Sequence, residues 1–251
     1  MKEQTVRPWH ERDGFWQTFE PVIFDAERRG LAPKEVEQLI DLLHLEPGQR
    51  ICDLCCGIGR HSLELAGRGF DVTAVDRTER YLQAARRQAE AANLNIEFVH
   101  QDMRNFCREQ SFDAVLNLFT SFGYFDARWD DRHVLDNIHR CLRPGGRLLV
   151  DVIGKEIVAR IFRARDWHRL DDRIVLYERR VVDDWSRMEN RWILIENGRQ
   201  HEWSFSHRLY SATELRELFD HSGFGDVAVY GTLTGKPYDE KADRLVVVGR
   251  K

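Results

Sequence analysis

The sequence contains no apolar run able to cross a bilayer: the stretch from Ala114 to Phe119, among its longest, already includes Asn117 and falls far short of the roughly 18 residues a span requires. It also lacks a hydrophobic opening. The first residues, MKEQTVRPWHERDGFW, carry charge where a secretory leader needs an apolar centre, so no leader is expected. A disulfide framework is missing as well. Its five cysteines are odd in number, with Cys52, Cys55 and Cys56 clustered and Cys107 and Cys141 apart, which points to a reducing cytoplasm. Charge of one sign is not in excess: 38 Lys and Arg against 42 Asp and Glu leave a net charge of -4. That balance argues against a general binder of phosphate backbones. No internal repeat or low-complexity segment is present. What remains suffices for a packed core, because 42% hydrophobic residues, with 14 Phe and 7 Trp in 251 residues, exclude a disordered chain.

From about residue 34 to 150, short apolar runs alternate with longer amphipathic stretches, the pattern of βαβ units. Helices are predicted over Lys34 to Leu45, Arg60 to Gly67, Glu79 to about Ala92 and Asp131 to Leu142. Strands are predicted over Arg50 to Leu54, Asp71 to Val75, Ile96 to His100, Ala114 to Leu118 and Arg147 to Ile153, with a turn at Pro144-Gly145-Gly146. Such alternation favours an α/β fold, doubly wound on a mostly parallel sheet. The texture changes after residue 165. Ile174 to Val182, Arg191 to Glu196 and His201 to Leu209 read as strands, Asn197-Gly198 as a hairpin turn, and Trp203, Phe205, His207 and Leu209 share one face. We read this region, 166–210, as an antiparallel insertion into a core that begins at residue 34. A capping box, Ser211 to Glu214, then opens a helix reaching about Ser222, and Val227 to Tyr230 and Leu245 to Val248 close the fold. Residues 1–33 form an aromatic amino-terminal segment; the whole is expected to be one domain.

The most informative stretch is Ile51-Cys-Asp53-Leu-Cys55-Cys56-Gly57-Ile-Gly59-Arg60-His61-Ser62. A strand ends in an acid, and a Gly-x-Gly turn leads into a helix whose first amides are free to meet a ligand. A purely structural turn would look similar, so the partners matter. The second strand ends at Asp76, placed to accept the two hydroxyls of a ribose, and the third is followed by Asp102-Met103, placed to meet an adenine. Each acid alone suits a strand-end cap; three on successive strands of one sheet do not. A dinucleotide dehydrogenase fits less well, because Gly57-x-Gly59-x-x-Ser62 lacks the third glycine. Cys52 and Cys55 have half a zinc spacing with no second pair, so no metal is expected.

These elements resemble the class I S-adenosylmethionine-dependent methyltransferases. The resemblance is carried by Asp53 to Gly59, Asp76, Asp102-Met103 and the Leu-Arg-Pro-Gly-Gly turn from Leu142 to Gly146. Asp102-Met103-Arg104 and the run from Asn117 to Phe125 are similar to the small-molecule branch that contains aminosugar and glycine N-methyltransferases. One departure is Cys55, where the family's first loop glycine usually stands. The resemblance implies a seven-stranded, Rossmann-like sheet with S-adenosylmethionine at the carboxyl ends of its strands. Asp53, Cys55, Gly57 and Gly59 would approach the methionine part, Asp76 the ribose with Arg77 beside it, and Asp102 with Met103 the adenine. Asn117 and Leu118 would line the sulfonium side.

Methyl transfer from a sulfonium is an in-line displacement, so the protein chiefly aligns the acceptor and excludes water. Tyr124, on the segment after the fourth strand, is the candidate for the catalytic residue lining the transfer site. Trp16, Arg191, Tyr210 and Tyr230 are candidates for substrate contacts. His133 and His207 read either as bases or as solvated and core histidines. The amino-terminal aromatics read equally as a lid over the cofactor and as a permanently docked helix. The insertion, with Trp185 and Arg191, reads as a substrate roof or as a homodimer surface. The expected activity is methyl transfer to a nitrogen or oxygen of a small molecule. An RNA methyltransferase and a noncatalytic S-adenosylmethionine-binding protein are the alternatives. Neither a membrane nor a nucleic-acid partner is expected.

Overall fold

The computed structural model describes residues 7–251, so the first six residues of the amino-terminal segment lie outside the described part. After a single 3-10 turn over Trp9–Glu11, α1 (Asp13–Ile23) and α2 (Ala26–Leu43) precede the first strand. Asp25 caps α2 by accepting the Arg28 amide, so α2 begins eight residues before the predicted Lys34 and carries Pro33 inside it. The core then runs β1 (Arg50–Leu54), α3 (Arg60–Gly67), β2 (Asp71–Asp76), α4 (Glu79–Ala91), β3 (Ile96–His100), β4 (Phe112–Asn117), α5 (Arg128–Cys141) and β5 (Leu142–Val152). Pro144 to Gly146 make no separate turn. Leu142 pairs with Phe112 and Arg147 with Ala114, so those residues bulge out of a continuous β5.

Next come α6 (Lys155–Ile161), β6 (Arg165–Leu170), β7 (Arg173–Val182), β8 (Arg187–Glu196), β9 (Arg199–Arg208), α7 (Ala212–His221), β10 (Gly225–Tyr230) and β11 (Leu245–Arg250). α6 and β6 were not legible in the sequence. The capping box at Ser211 is present as read, with both of its hydrogen bonds made.

Two sheets result. The first has seven strands in the order β10-β11-β5-β4-β1-β2-β3, with β11 antiparallel to its neighbours. The strand order reverses between β1 and β4, the crevice where open α/β sheets bind ligands. Side chains alternate across this sheet. Cys52, Leu54, Val115 and Val150 face α5 and α7, while Ile51, Val72, Leu116 and Leu149 face α2 and α3. The second sheet, β6-β7-β8-β9, is antiparallel throughout. Asn197 and Gly198 both take positive φ in its β8–β9 hairpin, as the turn requires. Its inner face packs Val175, Tyr177 and Leu194 against Phe15, Phe19 and Val22 of α1. The amino-terminal helix is therefore wedged between the second sheet and the strand ends of the first.

Asp131 of α5 joins these parts at a cost. It is fully buried, its Oδ2 accepts the Tyr210 hydroxyl at 2.7 Å, and its Oδ1 has no partner among the described residues. Burial pushes its pKa up to about 6, against the pull of Tyr210 and Arg208. A carboxyl raised in the native state contributes stability that is complete below its unfolded value near 3.9 and is lost as pH rises through about 6. Asp131→Asn should therefore gain stability relative to the wild type by roughly 1 kcal/mol between pH 5 and pH 8. Denaturant titrations of both proteins across that range check it; a pH-independent difference would remove Asp131 as the cause.

Candidate active site

The carboxyl ends of β1, β2 and β4 open onto a narrow cleft of about 100 Å³. Its floor is the turn after β1. Cys55 and Cys56 both donate their amides to the Val75 carbonyl, bending the chain across the end of β2. Gly57 and Gly59 take positive φ, and Gly59 precedes α3 with no side chain capping the helix amides. A Cβ on Gly59 would fall 2.8 Å from the Ala85 Cβ, so this glycine serves the packing of α3 on α4 and does not line the cleft. Cys55 also has a positive φ of 67°, the conformation for which glycine is the ordinary choice. Its Sγ lies 3.5 Å from the Met103 Sδ, across the cleft floor.

The three acids differ in state. Asp53 is buried and accepts the Ser62 hydroxyl at 2.5 Å, and burial pushes its pKa up. Asp76 is buried too, with its pKa raised by desolvation against two backbone donors. Its Oδ2 accepts from Gly57 N at 2.9 Å and its Oδ1 from Thr78 N at 2.7 Å. A carboxylate has about four acceptor positions, so about two remain for a ligand's hydroxyls. Burial would also raise Asp102, but Arg104 overrides it and holds the group below its ordinary value. Arg104 donates to both Asp102 oxygens, at 3.0 and 2.8 Å, and to Glu11 at 2.7 Å.

The roof is the amino-terminal segment. Arg77 donates to the carbonyls of His10 and Glu11 at 2.8 and 3.0 Å, and Tyr81 donates to that of Trp16 at 2.6 Å. The Phe24 ring covers Gly57 so closely that a Cβ there would meet it at 2.6 Å. His10, Ile23 and Phe24 line the cleft; Phe24 belongs to the amino-terminal aromatics read as a lid or a docked helix, whereas His10 and Ile23 were not singled out from the sequence.

Beyond this cleft lies a second, larger cavity of about 960 Å³ between α1, α6 and the inner face of the second sheet. Four residues line both spaces: Trp16, Ile23, Phe119 and Tyr124. Phe119 and Thr120 each have φ of 60°, a strained pair in the segment after β4. Asp151 holds them, its carboxylate accepting from Phe119 N at 3.1 Å and its carbonyl from Thr120 N at 2.9 Å. The Phe119 ring is ringed by cations, with Arg60 4.7 Å and Arg28 5.2 Å from its centroid. Tyr124 packs against Trp9 at 4.9 Å, and burial raises its phenol pKa, so it is neutral near pH 7.

Asp53, Cys55, Gly57, Asp76, Arg77, Asp102, Met103, Leu118, Trp16 and Tyr124 all line the cleft. Asn117 lies beneath it, fully buried, with Nδ2 donating to the Leu54 carbonyl and Oδ1 unpartnered. Three predicted substrate contacts fall elsewhere. Arg191 points away from the residues of β8 that line the cavity and is paired with Glu178 and Glu202 at 2.8 and 2.6 Å. Tyr210 is buried on Asp131 and Phe122. Tyr230 pairs with Val246 and packs on the α2 side of the first sheet. Periodicity locates a side chain's face only relative to its own strand, and the roof is set by how the two sheets meet. Asn190 and His207, by contrast, do line the larger cavity.

Residues 51–146 match a family model described as a methyltransferase domain. Among curated proteins, the glycine/sarcosine N-methyltransferase of Aphanothece halophytica is 27% identical over 220 residues, covering 86% of this chain and 82% of that protein. The demethylmenaquinone methyltransferase of Clavibacter sepedonicus is 39% identical over 104 residues, 41% of this chain and 40% of its own. The chain spans about half the length of two further curated relatives it matches, from Bacillus subtilis and a Geobacillus species. In fold it is similar to an S-adenosylmethionine-dependent methyltransferase from Clostridium acetobutylicum, with TM-score 0.77 at 14% identity, covering 95% of this chain and 98% of that one.

Proposed function

We propose that this chain, whose residues 51–146 are a methyltransferase domain on the class I fold, moves a methyl group from S-adenosylmethionine to a nitrogen or oxygen of a small molecule. The observation that carries this reading is the pair of spaces meeting at Trp16, Ile23, Phe119 and Tyr124: a narrow acid-lined cleft and a roomy acceptor cavity. The residues present suit the methyl donor. Asp76 keeps acceptor positions for ribose hydroxyls, Met103 offers apolar surface to an adenine, Leu118 lines the sulfonium side, and Gly57 allows close approach at the methionine end. Bound there, S-adenosylmethionine supplies an activated methyl group.

The chain's own part is alignment and exclusion of water. Wedged α1 closes the cleft on one side, and the strained Phe119-Thr120 turn closes the other. Tyr124 stays protonated, so its hydroxyl can donate to or accept from an incoming acceptor without adding charge. No dedicated base is needed for an amine that arrives neutral. Among the described residues no helix is long and apolar enough to cross a membrane. The five unpaired cysteines suit our placement of the protein in the cytoplasm.

Isothermal titration with S-adenosylmethionine and with NADH tests the assignment. One S-adenosylmethionine site per chain is expected and no NADH site; the reverse would sink the proposal. With isotopically labelled methyl donor, label should enter a metabolite fraction, and label entering RNA alone would replace the acceptor class.

A further inference from the structure

The larger cavity carries more information in its wall chemistry than in its volume. On the inner face of the second sheet, Arg179 of β7 lies opposite Asn190 of β8. Asn190 Nδ2 is in turn 3.3 Å from Nδ1 of His207 on β9. Three adjacent strands thus set a guanidinium, an amide and an imidazole in one row along the cavity wall. His207 is uncharged near pH 7, because burial and Arg187 lower its pKa to about 4.

Arg179 is the unbalanced member. It is half-buried and stacks on the Tyr177 ring, 4.6 Å from the centroid. Among the described residues its guanidinium makes no ion pair within 4 Å and no side-chain hydrogen bond; burial lowers its pKa, outweighing the opposing field of Asp166, the nearby acid on β6 that also lines the cavity. The other arginines around the cavity are engaged. Arg244 pairs with Asp151 and Glu35, Arg163 with Asp166 at 3.7 Å, Arg160 donates to the Glu240 and Ala242 carbonyls, and Arg28 to those of Val22 and Ile23. Half-burying a guanidinium with no directly paired acid is costly, and a ligand anion in contact with it reduces that cost. Beside this row, the buried Trp192 Nε1 also lacks an acceptor. Near the throat the wall includes the aromatic side chains of Trp9, Trp16, Phe119, Tyr124 and Phe205, with Ile23 among them. At about 960 Å³ the cavity is at the upper end of spaces that hold drug-sized ligands and far exceeds a single amino acid.

We propose that the methyl acceptor is a planar aromatic anion whose carboxylate, sulfonate or phosphate group pairs with Arg179 while its rings lie among the aromatic side chains. This rests on reading the adjoining cleft as the methyl-donor site. An anion at that row places the ring system between the second sheet and Tyr124, where the throat opens toward the cleft.

Two fluorescent probes test the pocket: 1-anilinonaphthalene-8-sulfonate, and N-phenyl-1-naphthylamine, which keeps the rings and lacks the sulfonate. The wild type should bind the sulfonate about tenfold or more tightly than the neutral probe, as a charge-assisted hydrogen bond implies. Arg179→Met, which keeps the apolar stem over Tyr177, should remove that preference and leave the neutral probe within about twofold. Arg179→Lys should retain most of it. Met188→Trp, filling the cavity from the same face of β8, should weaken both probes. S-adenosylhomocysteine titrations and thermal melts on the same samples separate the two readings. Full S-adenosylhomocysteine affinity with no Arg179-dependent preference overturns the anion site and leaves the donor cleft standing. An Arg179-dependent preference without S-adenosylhomocysteine binding overturns the donor cleft and leaves the anion site. Sulfonate binding indifferent to Met188→Trp places the probe outside the cavity and also overturns the proposal.

Discussion

Asp76→Ala should weaken S-adenosylhomocysteine binding by about 100-fold or more, the sum of two lost hydrogen bonds to a charged group. The effect has two sources. Removing the carboxylate takes away the acceptors left for ribose hydroxyls, and it strips Gly57 N and Thr78 N of their partner. The buried loop amides must then be desolvated without compensation, which loosens the cleft floor itself. Asp76→Asn should fare little better. An amide presents one oxygen and one NH₂, so one of the two backbone donors would face another donor. Affinity should also fall on the acid side of neutrality, because burial raises the pKa of Asp76 and only the ionised group accepts from all these donors at once. Calorimetry on the wild type and both variants, with circular dichroism to verify folding, decides the matter. Affinities within threefold of wild type would take Asp76 out of the site.

The cleft was legible because its determinants are local. Asp53 to Gly59, Asp76 and Asp102 each terminate a strand, and a parallel sheet brings successive strand ends to one edge whatever the helices do. The larger cavity was not legible, because its wall depends on contacts far apart in sequence. Trp9 Nε1 donates to the Ser206 carbonyl, and Phe15 packs 5.0 Å from Phe205, so α1 and β9 make a surface together that neither announces alone. The same distance explains both kinds of error about the second sheet. Arg191 reads as a roof residue of the insertion, yet its neighbours Asn190 and Trp192 line the cavity, and the face is decided by where α1 docks. His207 was recognised as sharing a face with Trp203 and Phe205, but whether that face met solvent, core or ligand had no local signal. Phe119 and Thr120 form a further class: nothing in their side chains favours positive φ, and Asp151 from another strand holds them there. Cys55 belongs with them, in a position where the residue type conceals the backbone conformation.

Gly57→Ala should lower S-adenosylhomocysteine affinity by roughly 10- to 100-fold, and Phe24→Ala should restore only part of that loss. Two penalties coincide at this residue. Its φ of 57° costs an L-residue about 1–2 kcal/mol. Independently, the new Cβ would stand 2.6 Å from the Phe24 ring, which must swing away from the cleft. Phe24 follows α1 directly and its carbonyl takes the Arg29 side chain, so displacing the ring disturbs the junction between the two amino-terminal helices as well. In the double variant the steric part vanishes while the backbone part stays. The two changes should therefore be non-additive by about 1 kcal/mol, within the range found for residues in contact. Gly48→Ala provides the internal standard. Its φ is 89° and its Cβ would meet nothing within 4 Å, so it should reduce stability by a similar backbone amount and leave affinity unchanged. Additive effects of Gly57→Ala and Phe24→Ala would mean that the ring does not rest on the loop when the donor is bound. The amino-terminal segment would then be a cover that opens for the cofactor, whereas the predicted coupling identifies it as a fixed wall of the cleft.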